Sequence, residues 1–318
     1  MSFKKILGQH KAVNTLQGFL KSGRVPHAMI FGGPTGVGKA MSALEFAKTL
    51  NCLDAAARDA QDSCGDCINC KHIDARTHPD IIFADFAYQA ALRGEEPEKQ
   101  QTLRVDTVRA LTAASQQRAA LAKWKVYIID AAEKMNDEAA NALLKFIEEP
   151  PQNTVWILIS AKREAMLATI KSRCQAVNFA PLGRDIIINI LKDNFVEDDI
   201  AERSAYYGAG STAKAMLAAQ TLGDFAAMPA GAAFAPAAAM GLSKTLAQAR
   251  AQAACAMDML AVAAHTQWTA AAEADRRAAL GGLLQKLNFY KRALNRNTSP
   301  ALVLEAAIIS AETCGVIL

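Results

Sequence analysis

The sequence lacks a long uninterrupted hydrophobic run. Its longest apolar stretch, residues 225–242, consists mostly of alanine and is broken by Pro229 and Pro236, which makes it a poor membrane span. The opening residues, Met-Ser-Phe-Lys-Lys, lack the apolar core of a signal peptide. Together these absences predict a cytoplasmic protein that does not interact with a membrane.

The sequence also has little excess charge of either sign. Its formal net charge is +4 over 318 residues, which is too small by itself to indicate binding to nucleic acid. With 52% hydrophobic and 21% charged residues, the composition is that of an ordinary globular protein, and the length predicts two or three domains. In a reducing compartment, the seven cysteines indicate metal ligands or free thiols rather than disulfides.

A glycine-rich loop stands between a predicted strand, residues 28–31, and a predicted helix. Gly33, Gly38 and Lys39 have the P-loop spacing G-x-x-x-x-G-K, in the strand–loop–helix context that this motif requires. Glycines allow backbone N–H groups to turn inward around phosphate oxygens, while the helix N-terminus and the lysine add positive charge. Because Ala40 has no side-chain oxygen for Mg²⁺, we predict a phosphate cradle that is poorly suited to metal-assisted hydrolysis. The predicted nucleotide-binding residues of the loop are Gly33, Thr35, Gly36, Val37, Gly38, Lys39 and Ala40.

Two polar residues end predicted strands further along the chain. Asp130 ends an apolar run, as does the acid that holds the water shell of Mg²⁺ beside a P-loop. Ser160 ends the next apolar run, where a sheet of this kind presents polar groups to a γ-phosphate. We therefore add both to the predicted nucleotide-binding residues, although an aspartate at a strand end is also common in other α/β sheets.

Four cysteines are grouped after the helix that follows the loop. Cys64, Cys67 and Cys70 form the pattern C-x-x-C-x-x-C, which suits a knuckle that wraps a metal, and Cys52 supplies a fourth thiolate. We predict a closed tetrahedral site for structural Zn²⁺, with no position left for a catalytic water. Free thiols and an iron–sulfur cluster are the alternatives, and no redox partner motif near the cysteines favours the cluster.

The remaining patterns predict the domain organisation. Strand-like runs recur up to residue 179, whereas residues 85–101 are polar and without a period, and we expect a loop at Gly94-Glu95-Glu96-Pro97. Beyond them the patterns are helical, interrupted by a stretch rich in Ala, Gly and Pro. The predicted divisions are an α/β domain over 1–180 with the cysteine insertion at about 52–70, a small helical domain over 181–222, a hinge over 223–241 and a helical domain over 242–318.

Several segments together resemble the bacterial DNA polymerase III clamp-loader subunits, most closely the delta-prime family, over nearly the whole chain. The resemblance is carried by the P-loop, the cysteine insertion, Ile6-Leu7-Gly8-Gln9, Gly23-Arg24-x-Pro26-His27-Ala28, Val105-Asp106-x-Val108-Arg109, Val126-Tyr127-Ile128-Ile129-Asp130, Asn141-Ala142-Leu143-Leu144-Lys145, Glu148-Glu149-Pro150-Pro151 and Ser172-Arg173-Cys174. It implies an AAA+ fold: an α/β P-loop domain with a parallel sheet flanked by helices, a small helical lid, and an all-α C-terminal collar that joins subunits in a ring.

The resemblance also implies partners and a role for one arginine. In this family the gamma/tau subunits bind and hydrolyse ATP, and neighbouring subunits supply an arginine across the interface. Arg173 occupies that position, where a guanidinium would stabilise the negative charge that develops at a partner's γ-phosphate. The alternative is an ordinary surface arginine. The implied partners are the gamma/tau and delta subunits and, through the complex, the beta sliding clamp and primed DNA.

Three positions depart from the ATP-hydrolysing members of the family. Ala40 replaces the hydroxyl residue that holds Mg²⁺, Ala131 replaces the glutamate that polarises water, and Ala213 replaces a sensor arginine. Glu133 is the next acid after Ala131, and we expect it to point in a different direction from the missing glutamate. With Arg173 retained, we expect a non-motor subunit that binds ATP or ADP weakly or without hydrolysing it. A gamma/tau-type ATPase motor and a zinc module that binds nucleic acid are the alternatives.

Overall fold

The computed structural model describes residues 2–97, 100–226, 234–243, 245–294, 296 and 298–316. The chain divides into two compact units, Met1–Leu182 and Gly183–Leu318. This division lies close to the predicted end of the α/β domain at residue 180. The further division of the second unit into lid, hinge and collar stays a prediction.

The first unit is built on a sheet of five parallel strands. Every residue of its three central strands is buried, as expected where helices cover both faces of a parallel sheet. In the core, Tyr127 and Trp156 are paired in register and stack with their ring centroids 4.7 Å apart. This sheet confirms the predicted α/β class. The strands are β1 (Ala28–Gly32), β2 (Ile81–Ala84), β3 (Lys125–Ile129), β4 (Thr154–Ser160) and β5 (Gln175–Asn178), in the spatial order β2-β3-β4-β1-β5.

Helices connect these strands, and polar side chains cap the N-termini of three of them, which begin after Asp54, Asp85 and Asn136. The helices of the first unit are α1 (His10–Ser22), α2 (Lys39–Asn51), α3 (Ala55–Asp59), α4 (Ile68–Asp74), α5 (Phe86–Arg93), α6 (Val105–Gln116), α7 (Asp137–Glu148) and α8 (Ala168–Lys171). The side chains of Asp85 and Asn136 accept backbone N–H groups in the first turns of α5 and α7. Helix α5 lies in the stretch for which no periodicity was found, and Gly94, the first residue of the predicted loop, ends that helix.

The second unit is helical throughout its described residues, as predicted. Side chains of five helices form its core, among them Leu222, Ala238, Leu260, Leu287 and Leu304. The helices are α9 (Arg184–Asp193), α10 (Asp198–Gly208), α11 (Thr212–Ala226), α12 (Phe234–Met240), α13 (Leu246–Ala270), α14 (Ala274–Leu294) and α15 (Pro300–Glu312).

The predicted hinge, residues 223–241, is helical at both ends. Helix α11 extends to Ala226 and α12 begins at Phe234, while residues 227–233 lie outside the described residues. Within the described part of the chain, no helix is both long and apolar enough to cross a membrane.

Candidate functional site

The glycine-rich loop lies at the carboxyl edge of the sheet, between the end of β1 and the start of α2. Gly33 has φ +150°, and a β-carbon added there would lie 2.3 Å from the carbonyl oxygen of Phe179, so only glycine fits. The N–H of Gly33 donates to the carbonyl of Ser160 at 3.2 Å. Gly36 and Gly38 also have positive φ, 69° and 94°. The ends of β4 and β5 thus fix the loop in front of the N-terminus of α2, where backbone N–H groups and the helix dipole favour an anion.

The other predicted loop residues differ in exposure. Thr35 is exposed, Val37 is buried, and Ala40 is half-buried in the first turn of α2. The methyl group of Ala40 stands where a P-loop needs a hydroxyl for Mg²⁺. The loop can therefore surround a phosphate, but this position gives no oxygen to a metal.

The side chain of Lys39 folds back onto the glycine-rich loop and binds two of its carbonyl groups. Its Nζ donates to the carbonyl oxygen of Gly33 at 2.6 Å and also to that of Pro34. The side chain is buried, and burial lowers the pKa of Lys39, while the carboxylates of Asp130 and Glu133 act in the opposite direction. A phosphate that enters the loop therefore competes with two carbonyl groups for this ammonium.

Two carboxylates lie near Lys39 in the segment after β3. Asp130 Oδ1 accepts the N–H of Ala131 at 2.9 Å, and burial raises the pKa of Asp130 although that hydrogen bond and Lys39 oppose the shift. Ala131 has φ +50°, and the 3-10 turn after it brings Glu133 to the end of β4, where Oε1 accepts the N–H of Ala161 at 3.3 Å. The other oxygen of Glu133, Oε2, is buried and has no hydrogen-bond partner among the described residues.

Glu133 was noted in the sequence but was not included among the predicted nucleotide-binding residues. An acid within one turn of a strand end was a visible signal, but its direction depends on the left-handed backbone of Ala131, a conformation that alanine rarely adopts. Ser160, which was predicted, lies at the end of β4 with a buried side chain, and its Oγ accepts the N–H of Lys162 at 3.1 Å. The structure thus brings Gly33, Lys39, Asp130 and Ser160 together at one edge of the sheet.

The four predicted cysteines come together beyond the C-terminal end of α2. Their sulfur atoms all lie within 4.8 Å of one another. Zinc–sulfur bonds of about 2.3 Å in a tetrahedron place the sulfurs about 3.8 Å apart, so small adjustments would complete such a site. The N–H of Cys64 donates to Sγ of Cys52 at 3.4 Å, and the N–H of Cys67 donates to Sγ of Cys64 at 3.3 Å. These contacts stabilise thiolates, and the donor set fits a metal such as zinc.

The cysteines differ in how easily they lose a proton. Burial acts to raise the pKa of Cys67, but hydrogen bonds from the N–H groups of Leu53 and Cys70 and from the thiols of Cys70 and Cys64 outweigh it and lower the pKa to about 7. Burial raises the pKa of Cys52 and that of Cys70. A bound cation would favour deprotonation of these two thiols, so metal binding at this cluster releases protons.

Buried polar contacts tie the cysteine segment to α2. The hydroxyl of Ser63 donates to a carboxylate oxygen of Glu45 at 3.0 Å. Lys48 pairs with Glu45 and also with Asp74, the second contact measuring 3.0 Å. Burial acts to lower the pKa of Lys48, but the bonds to Glu45 and Asp74 outweigh it and raise the pKa. Because α2 begins at the phosphate loop, the loop and the cysteine segment share one helix.

Arg173 follows α8, and its polar contacts are with residues outside the glycine-rich loop. Its Nε lies 2.6 Å from Oε1 of Glu148, and its Nη1 donates to the carbonyl of Thr169 at 3.1 Å and to Oγ of Ser172 at 3.2 Å. The side chain is 42% exposed. Among the described residues, Arg173 forms no hydrogen bond or ion pair with the glycine-rich loop.

A glycine loop and its buried lysine after the first strand, with an acid after the third, give this unit the fold of a P-loop domain of the AAA+ class. The cysteine segment is an insertion between the P-loop helix and the next strand of this domain. The family described as "DNA polymerase III, delta subunit" has a sequence model that matches residues 8–183, more than half of the chain. The chain belongs to this family.

Comparison with individual proteins agrees with this membership. DNA polymerase III subunit delta' of Bacillus subtilis is 33% identical over 197 residues, 62% of this chain and 54% of that protein. The delta' subunit of Pseudomonas aeruginosa is 44% identical over 148 residues, 46% of this chain and 41% of that protein. The chain thus spans about half the length of these curated relatives.

The tau/gamma subunit of Haemophilus influenzae is also similar, at 31% identity over 199 residues, 63% of this chain and 27% of that protein. Among solved structures, a DNA polymerase III gamma subunit-related protein of Thermotoga maritima is 15% identical with a TM-score of 0.52, covering 96% of this chain and 99% of that one. At this identity the structural match shows a shared fold only.

Proposed function

We propose that the chain is a delta-prime subunit of a DNA polymerase III clamp loader, a non-motor component that helps to load the sliding clamp onto primed DNA. Similarity to proteins named delta' and tau/gamma subunits of the same polymerase supports this role. Its partners would be the gamma/tau and delta subunits and, through the complex, the beta clamp and primed DNA. Such a subunit works in the cytoplasm.

Arg173 acts in this proposal on the ATP of a neighbouring subunit. The observation that carries the proposal is the half-exposed guanidinium after α8, which has no bond to this chain's own glycine-rich loop among the described residues. A guanidinium supplied by a neighbour stabilises the negative charge of phosphoryl transfer, and it can do so only if it is accessible from outside.

The chain's own pocket binds ATP or ADP weakly or without hydrolysing it. Lys39 and the glycines of the loop support the grip on phosphate, while the methyl groups of Ala40 and Ala131 stand where hydrolysis needs oxygens. Asp130 and Ser160 complete the nucleotide-binding set.

The remaining parts of the chain have structural roles in this proposal. Zn²⁺ bound by Cys52, Cys64, Cys67 and Cys70 would fold the inserted segment. Residues 181–222 act as the lid and 223–241 as the hinge, and 242–318 form the collar through which the subunits assemble.

ATP hydrolysis by a clamp loader reconstituted with Arg173→Ala tests the proposal. An arginine supplied in trans is worth about 10³–10⁵ in kcat. We therefore expect hydrolysis at the neighbouring site to fall at least about tenfold in a single-turnover assay. Arg173→Lys keeps the positive charge but lacks the planar guanidinium, so it should recover little of the hydrolysis that Arg173→Ala loses. Lys171→Ala, two residues before Arg173 at the end of α8, is the control. Unchanged hydrolysis with Arg173→Ala would reject the proposed role.

One observation favours a second function, that of a gamma/tau-type ATPase motor. Oε2 of Glu133 is buried without a hydrogen-bond partner among the described residues, and this carboxylate near Lys39 would orient a water in place of the missing glutamate. Purified chain that hydrolyses ATP by itself, with the activity lost in both Lys39→Ala and Glu133→Gln, would favour the motor.

A further inference from the structure

The guanidinium of Arg173 is held on one side by two helices of the first unit. Its Nε lies 2.6 Å from Oε1 of Glu148, the last residue of α7. Its Nη1 donates to the carbonyl of Thr169 and to the hydroxyl of Ser172, both on or next to α8. An arginine carries five N–H donors, and the two N–H groups of Nη2 donate to no described residue. In this conformation the two N–H groups of Nη2 therefore remain available to an oxygen of another molecule.

Buried or partly buried side chains lie next to both residues of this ion pair. Ile147 of α7 is 0% exposed and Ile170 of α8 is 1% exposed, and both belong to one core cluster. The side chain of Cys174, next to Arg173, packs against the same cluster. Glu148 thus stands one residue from a core anchor, so packing fixes the backbone from which its 47%-exposed side chain reaches Arg173.

We infer that Glu148 is the positioning residue for Arg173, and that it aims the guanidinium of this subunit at a neighbour's γ-phosphate. This inference rests on the proposed trans-acting role of Arg173. A free arginine side chain visits many rotamers, and each must be given up when the guanidinium engages a phosphate. A carboxylate at 2.6 Å removes much of that freedom beforehand while Nη2 stays available. Glu148 itself touches no reacting atom in this arrangement.

The test compares three variants in the reconstituted clamp loader: Glu148→Ala, Glu148→Gln and Glu149→Ala. Glu148→Ala should lower kcat at the neighbouring site about tenfold, because the arginine is no longer aimed, and should leave KM for ATP unchanged. Glu148→Gln keeps an acceptor oxygen at the same reach and should recover activity to within about threefold of the original. Glu149 is exposed and is the next residue along the chain, so its replacement makes the same charge change without touching Arg173 and should have no effect.

A spectroscopic measurement on the isolated full chain adds a readout that does not depend on assembly. The Nε–H resonance of Arg173, assigned by its disappearance in Arg173→Lys, should shift in Glu148→Ala and stay in place in Glu149→Ala. An unshifted resonance would overturn the inference, because it would mean that Glu148 does not hold the side chain in solution.

The outcomes separate the two proposals. If Arg173→Ala slows the neighbour and Glu148→Ala does not, the inference is overturned and the trans-acting role stands. A faster Glu148→Ala complex would also overturn it, since the carboxylate would then be competing with phosphate for the arginine. If Arg173→Ala changes nothing, the trans-acting role fails and the positioning role fails with it.

Discussion

Replacing Lys48 by methionine is expected to destabilise the first unit by about 3–5 kcal/mol. Lys48 is 0% exposed, and its partner Glu45 is 1% exposed. Without the ammonium, the buried carboxylate of Glu45 keeps the hydroxyl of Ser63 as a hydrogen-bond partner but has no paired positive side chain among the described residues. Asp74, at 36% exposure, can be hydrated, so the loss arises mainly from Glu45.

Urea unfolding followed by tryptophan fluorescence measures this change. Replacing Trp268 by phenylalanine leaves Trp124 and Trp156 as reporters, and both lie in the first unit. With a slope of about 2 kcal/mol per M of urea, a loss of about 4 kcal/mol lowers the midpoint by about 2 M. Lys123→Met, at an exposed lysine of the same unit, is the control and should cost less than about 0.5 kcal/mol.

Removing both charges gives the deciding comparison. The double variant Glu45→Gln with Lys48→Met buries no unpaired charge, so it should recover most of the stability that Lys48→Met loses. A single variant that loses less than about 1 kcal/mol, or a double variant as unstable as the single one, would refute the reasoning.

Three further predictions concern the pH dependence, the loop and the cysteines. Three backbone N–H groups outweigh the burial of Asp80 and lower its pKa, so its stabilisation is full above about pH 4 and is lost as pH falls through the folded-state pKa. Asp80→Asn should cost about 2–3 kcal/mol at pH 7 and flatten the acid side of the curve of unfolding free energy against pH; an unchanged acid slope would contradict this. Gly33→Ala places a methyl group 2.3 Å from the carbonyl oxygen of Phe179, after β5. It should lower the free energy of unfolding in urea by about 2–5 kcal/mol. The control Gly18→Ala adds its methyl group in open space on α1 and should not lower the stability. Purified chain should contain about one zinc by elemental analysis, with Cys70→Ser losing it and Cys255→Ser keeping it; equal zinc in both variants would reject the site.

The sequence predicted the strands that carry long apolar runs but not the short element after the cysteine segment. Strand β2 spans Ile81–Ala84, too short for its pattern to be separated from a buried turn. Helix α5 was missed because Gln89, a polar residue, is 0% exposed at its centre. That side chain donates to Gln100 and to the carbonyl of Thr102. Tertiary hydrogen bonds therefore stabilise a polar group in the core, and hydrophobic periodicity cannot reveal them.

The candidate site was predictable where spacing alone determines geometry. The loop and the cysteines follow from local spacing, and both lie where they were expected. The contribution of Glu133 and the contact between Glu148 and Arg173 depend on a left-handed alanine and on the packing of α7 near α8. Neither feature has a period or a motif, so only the three-dimensional structure reveals it.

The carbonyl of Phe179 next to Gly33 means that the glycine motif can be retained even when the chemistry it once served is lost. A side chain at Gly33 would collide with the neighbouring strand whether or not a nucleotide ever enters the loop. A descendant that had lost every trace of ATP binding would still be obliged to keep this glycine in order to fold. In such a lineage, the glycine motif indicates only how the edge of the sheet is built. Whether the protein once hydrolysed ATP is better judged from residues that packing does not constrain.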